Sequence, residues 1–293
     1  MNAAAAVLCA IDFSDWALEA ALRAALVAEA LGAPLELVHV LEREAIPARR
    51  GARIATVAAH AEGECLLELD RIAAAIARPR LSVSTALVKG SAVAAILDAA
   101  AKARLVVLGS RGQASWRESL VGSTADRVIE AAQRPVLVVR RSRNGPYSRV
   151  LLPVDFSAIS ESSLAAALRA APQAKVLLLH AYNVEFERML WRSGVDHDRV
   201  NDYRVLARTE AVARLRTLAG TASGDMARFE QVAKRGHPHR VIVDTASDRA
   251  IDLIVMGKQR RSLVERLMLD SVVSQVLADA PCDVLVLPAG SSL

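Results

Sequence analysis

The chain has 293 residues, 53% hydrophobic and 24% charged, which is length enough for about two domains with their own cores and excludes intrinsic disorder. Aromatics make up 3%, too few for a base-stacking platform, and 37 basic against 32 acidic residues leave a formal charge of +5. No block of five or six Lys/Arg occurs, so neither a nucleic-acid nor a membrane partner is expected.

Taken in chain order, short apolar runs alternate with longer helical patterns. In the first half, runs at 7–11, 35–40, 81–88, 105–108 and 136–139 are almost continuously apolar, as in strands buried on both faces. Between them, apolar residues recur every three or four positions over 15–31, 53–77, 92–102 and 124–132, the spacing of amphipathic helices. The polar segment 141–148, with Asn144-Gly145-Pro146, reads as a linker. The second half repeats the plan, with strands expected at 150–154, 176–180, 229–233, 253–256 and 284–287. Its helices are expected at 160–171, 201–219, 240–248 and 271–280, with a long polar connection at 183–200.

The halves are similar in sequence as well as in plan. Val7 to Ser14 resembles Val150 to Ser157, with Asp-Phe-Ser closing both, and Leu105 to Gly109 resembles Leu253 to Gly257. Strand–helix alternation implies right-handed crossovers. The fold class expected is α/β: two tandem doubly wound domains, each a five-stranded parallel sheet with helices on both faces. The first spans 1–140, the linker 141–148 and the second 149–293.

Ligands of open parallel sheets bind at the carboxyl ends of the strands, near the switch in strand order. Two features fall there. Asp12 ends the first strand, where its carboxylate either accepts hydrogen bonds from ribose hydroxyls or caps the next helix; Ser14 or Asp15 can cap in its place. The second is Gly109-Ser110-Arg111-Gly112, nine residues, then Gly122-Ser123 before a helix. Glycines let a phosphate approach the backbone, and the helix N–H groups then face it, with hydroxyls from Ser123 and Thr124.

These motifs, Asp12-Phe13-Ser14 and Gly109-x2-Gly112-x9-Gly122-Ser123, resemble the universal stress protein family in its tandem form, over nearly the whole chain. The resemblance implies ATP, with Mg²⁺ bridging its phosphates. Asp12 would hold the ribose, the backbone at Val40 would meet the adenine, and Gly109, Gly112, Gly122 and Ser123 would cradle the phosphates. Arg111 lies within the loop and either pairs with the phosphates or stays solvated. In the second half Asp155, Gly257 and Ser271 are kept, but Arg260 stands where Gly112 does and Asp270 where Gly122 does. A carboxylate ~4 Å from a phosphate charge costs roughly 4 kcal/mol at an effective dielectric of 20. One nucleotide per chain is therefore expected, in the first half. Arg260 and Arg261 either offset part of that cost or pair with Asp270.

No catalytic residue is nominated: GxSxG, GxxxxGK[ST] and HExxH are all absent from the sequence. His237-Pro238-His239 reads as a loop and helix start, not a metal site, and His39 and His180 as hydrogen-bonded strand-end histidines. Cys9, Cys65 and Cys282 are far apart, which excludes a disulfide framework and fits a reducing cytoplasm. The first apolar run is too short to span a bilayer and no signal peptide is expected. The resemblance also implies pairing through the last strand, here made internally between 135–139 and 284–287 as a pseudo-dimer of the halves, with further homodimerisation open. The function expected is an ATP-binding nucleotide sensor or regulator in the stress response. The alternative is an enzyme on the same scaffold, a slow ATPase or a nucleotidyl or phosphoryl transferase.

Overall fold

A computed structural model describes residues 5–42, 52–111, 122–140, 145–182, 197–222, 226–258 and 271–293. The chain divides into two units, Met1–Pro146 with Asp283–Leu293, and Tyr147–Cys282.

In the first unit, β1 (Val7–Ile11), β2 (Leu35–Leu41), β3 (Val83–Lys89), β4 (Leu105–Gly109) and β5 (Val136–Val139) run parallel in the order β3-β2-β1-β4-β5. The innermost strands are covered on both sides, which is why β1 and β4 read as unbroken apolar runs. α1 (Asp15–Leu31) packs on β1 and β4, α2 (Ala52–Ala75) on β3 and β2, and α3 (Ala92–Ala100) on β2 and β1. α4 (Ser123–Ala131) packs on α3. Right-handed crossovers put α1 and α2 on one face and α3 and α4 on the other. α1 is rich in Ala, so it lies close to the sheet; it stops at Gly32, whose φ of 60° lets its N–H reach back to Ala28 O and Glu29 O.

β5 would end this sheet with four fully buried apolar residues. Instead β10 (Asp283–Pro288) pairs with it antiparallel, Val284 opposite Val138, Leu285 opposite Leu137 and Val286 opposite Val136. The strand pairing expected from the sequence is present, and covering the edge removes its unpaired backbone groups from solvent.

In the second unit, β6 (Arg149–Pro153), β7 (Lys175–Tyr182), β8 (Phe229–Arg235) and β9 (Leu253–Lys258) are parallel in the order β9-β6-β7-β8. α5 (Ile159–Ala170) packs on β9 and β6, α6 (His197–Gly220) on β8 and β7, and α7 (Pro238–Asp248) on β7. α8 (Val272–Asp279) packs on α7. The two tandem α/β folds agree with the expected class. Differences are local: α6 starts four residues before the expected 201, because His197 to Val200 contain no Gly or Pro to stop it. Leu81, expected in β3, instead bridges Arg78 ahead of the strand.

The strand orders place a topological switch between β1 and β4 in the first unit and between β6 and β9 in the second. At the first switch Asp12 follows the last residue of β1 and Gly109 ends β4; at the second Asp155 lies two residues beyond β6 and Gly257 is next to last in β9.

Candidate functional site

The turn after β1 is built by three residues. Phe13 takes a φ of 62°, an uncommon conformation for a residue with a Cβ. It turns the chain so that Ser14 N and Ser14 Oγ both donate to Asp12 Oδ1, at 3.1 and 2.6 Å. Ser14 Oγ in turn accepts from Ala17 N at 3.2 Å and caps α1. Capping therefore falls to Ser14, and Asp12 is held at the carboxyl end of β1 by the residue that caps.

His39 fixes this turn from the neighbouring strand. Its Nδ1 lies 2.7 Å from Ile11 O, and because a carbonyl only accepts, Nδ1 carries the proton. The ring lies against Phe13 with centroids 4.2 Å apart and planes at 34°. Beside it, Val40 pairs with Val88 in the β2–β3 register, and Gly90 N donates to Leu41 O at 3.1 Å. Beneath the turn, burial pushes the Cys9 thiol pKa far up, so this cysteine stays neutral and inert.

The glycine motif has a packing role beside any ligand role. A Cβ on Gly109 would lie 2.9 Å from Trp16 O and 3.0 Å from Trp16 C, so only glycine lets α1 approach β4 this closely. Ser110 is buried and its N donates to Val139 O at 2.9 Å. Gly122 N then donates to Ser110 O at 2.9 Å, which brings the two ends of the motif together. Gly112 and the rest of the intervening loop lie outside the described residues. Gly122 is the N-cap of α4 and, having no side chain, makes no side-chain cap bond; Ser123 and Thr124 open the helix and are exposed. The Arg111 guanidinium sits over the Trp16 ring, 5.2 Å from its centroid.

Two features of the site were not anticipated from the sequence. One is the Phe13–His39 contact, whose signal was available, since Phe and His recur at 156 and 180. The other is Asp126, in the first turn of α4; partial desolvation and the charge of Glu130 raise its pKa above the usual aspartate value.

The second unit repeats the turn. Phe156 has a φ of 60°, and Ser157 N and Oγ donate to Asp155 Oδ1 at 3.0 and 2.6 Å. His180 Nδ1 lies 2.7 Å from Val154 O, and its ring centroid is 4.5 Å from that of Phe156. Gly257 again underlies the helix, a Cβ there falling 2.5 Å from the Ile159 side chain. The surroundings differ in two respects. The Arg214 guanidinium stacks on Phe156, 3.9 Å from the ring centroid. Ser271 Oγ accepts from Ser274 N at 3.1 Å and caps α8, whereas α4 has no such cap. Arg260, Arg261 and Asp270 lie outside the described residues.

His239 Nε2 is 2.8 Å from Asp279 Oδ2, which commits it to a carboxylate on α8, and its ring lies 6.5 Å from that of His237. Among the described residues no group of three or more His, Cys, Asp or Glu is placed to hold a metal ion. Cys9, Cys65 and Cys282 form no disulfide, and no described helix is long and apolar enough to cross a membrane.

Two α/β units, each with an Asp-Phe-Ser turn beside a strand that carries a glycine at its carboxyl end, Gly109 last in β4 and Gly257 next to last in β9, define the class of fold. The chain belongs to the universal stress protein family, whose model matches it twice, over residues 5–140 and 146–288. It is 26% identical over 297 residues to a universal stress protein of Mycolicibacterium smegmatis, covering 96% of each chain. A universal stress protein of Mycobacterium tuberculosis is 26% identical over 264 residues, covering 79% of this chain and 91% of the relative. Among solved structures, a universal stress protein from Archaeoglobus fulgidus superposes with a TM-score of 0.70 at 19% identity, covering 97% of this chain and 98% of the other, which shows the shared fold.

Proposed function

We propose that this universal stress protein binds ATP in its first unit and acts as a cytoplasmic nucleotide sensor in the stress response. The observation that carries the reading is the pairing of two features across one switch point. An acidic turn, Asp12 braced by Ser14, closes β1. Facing it in the topology, α4 opens with Gly122 at its N-cap, a residue with no side chain to cap the first N–H groups. The first N–H groups of any helix lack an intrahelical partner, and they favour a phosphate where no side chain satisfies them. The carboxylate suits ribose hydroxyls, and the backbone at Val40 suits an adenine edge.

Gly109, Gly112, Gly122 and Ser123 are assigned to the phosphates, with Thr124 and Arg111 at their margin. Mg²⁺ bound with the nucleotide would neutralise part of the phosphate charge. Holding nucleotide is what a cradle of backbone N–H groups does, and slow hydrolysis on the same scaffold is the alternative reading. The second unit keeps the acidic turn but caps its helix with Ser271 and lays Arg214 over Phe156, which supports a structural or partner-binding role for that copy.

The test is equilibrium dialysis of the full chain against Mg-ATP, expected to give one ATP per chain, lost in Gly122→Asp. Two ATP per chain, or none, would overturn the assignment. Saturation ~100-fold above Kd is also expected to stabilise the fold by roughly 2.7 kcal/mol.

A further inference from the structure

Arg23 lies on the buried face of α1, where the helical pattern calls for an apolar residue, and it is 4% exposed. Its Nε is 3.3 Å from Oδ2 of Asp283, the first residue of β10, which is 2% exposed. Arg23 Nη1 also donates to Gly145 O at 2.8 Å, and Asp283 Oδ1 accepts from Arg140 N at 2.8 Å, next to the end of β5. A buried charge pair of this kind adds little net stability over apolar residues of the same volume. Its established use is to fix which surfaces meet and in what register.

The internal repeat shows what the pair discriminates. Asp283 corresponds to Pro135, since Val284–Leu287 aligns with Val136–Val139. The β5–β10 pairing sets Leu285 against Leu137. If β5 of a second chain took the place of β10 in the same register, its Leu137 would face Leu137, its Val136 would face Val138, and Pro135 would stand where Asp283 does. The apolar faces would match as well as before, but Arg23 would lose its carboxylate.

We infer that the Arg23–Asp283 pair is the specificity determinant that makes β5 accept the chain's own C-terminal strand in preference to β5 of a second copy. The apolar residues of both strands supply affinity for either partner, and the ion pair supplies the choice.

The experiment uses full-length chains in a Cys65→Ala background. A Leu137→Cys substitution reports homotypic pairing, because position 137 would face itself, as a thiol-cross-linked dimer. Leu137→Cys with Leu285→Cys reports the native pairing as an internal cross-link without change of mass. The internal product is expected to dominate in the parent. Arg23→Met/Asp283→Leu, which replaces both charges with apolar groups, is expected to raise the Leu137→Cys dimer fraction at least tenfold. Arg23→Asp/Asp283→Arg is expected to restore the parent pattern. An unchanged dimer fraction in the apolar double variant overturns the inference. Should that variant not fold, Asp283→Asn keeps the shape and removes the charge, and an unchanged dimer fraction there overturns it equally.

Discussion

Phe13 and His39 meet ring to ring at 4.2 Å, and the His39 Nδ1 proton goes to the carbonyl of Ile11, the residue that ends β1. One histidine thus holds both the strand end and the strained residue after it, so that Asp12 between them has little freedom. Phe156 and His180 repeat the arrangement at 4.5 Å, which marks it as built into the repeat.

His39→Ala leaves the Ile11 carbonyl without this donor in a region where Ile11 is 3% exposed, a change that costs about 1–3 kcal/mol. Chemical denaturation should show that loss, and ATP affinity should fall with it because Asp12 is no longer fixed. His180→Ala should cost a similar amount of stability and leave ATP affinity unchanged. Equal loss of affinity in both variants would contradict the assignment of nucleotide to the first unit.

Gly109→Ala and Gly257→Ala should differ in how they are rescued. The new methyl at 109 meets Trp16 backbone, whereas at 257 it meets the Ile159 side chain. Overpacking of this kind costs about 1–3 kcal/mol. Thermal denaturation of the doubles should show recovery for Gly257→Ala with Ile159→Ala, relative to Ile159→Ala alone. Trp16→Ala should give no comparable recovery to Gly109→Ala.

Gly122→Asp transfers the second half's sequence departure into the first. At roughly 4 kcal/mol for a carboxylate ~4 Å from a phosphate charge, ATP affinity should fall about a thousandfold. Isothermal titration in low and high salt would check it; part of the loss should shrink as salt screens the repulsion.

The raised pKa of Asp126 has a definite sign for stability. Burial and Glu130 disfavour its ionised form in the fold. Its contribution is therefore fully present below the unfolded aspartate pKa and is lost as pH rises through the higher folded value. Asp126→Asn should be the more stable protein at neutral pH, with about 0.2–0.5 kcal/mol from relieving the like-charge pair with Glu130. The advantage should vanish in denaturation curves taken below about pH 4.

Most elements could be read from the sequence because their signals are local. A strand covered on both faces is apolar throughout, as in Val7 to Ile11, and a helix on a sheet repeats every three or four residues, as in α1. The Asp12-Phe13-Ser14 turn was legible for the same reason: its hydrogen bonds close within three residues. Boundaries were less so, since α6 starts four residues before its apolar pattern becomes evident.

The repeat, the alternation of strand and helix, and the glycine and aspartate positions were determined by residues acting on near neighbours. Three matters were decided only when distant segments met. Gly109 is small because the backbone of Trp16 arrives there; β5 is buried because β10 covers it; and Arg23, a charge on an apolar stripe, is at home because Asp283 comes from 260 positions along the chain. Whether a charge is tolerated inside a protein depends on its partner rather than on its neighbours in sequence, and only tertiary structure supplies that partner.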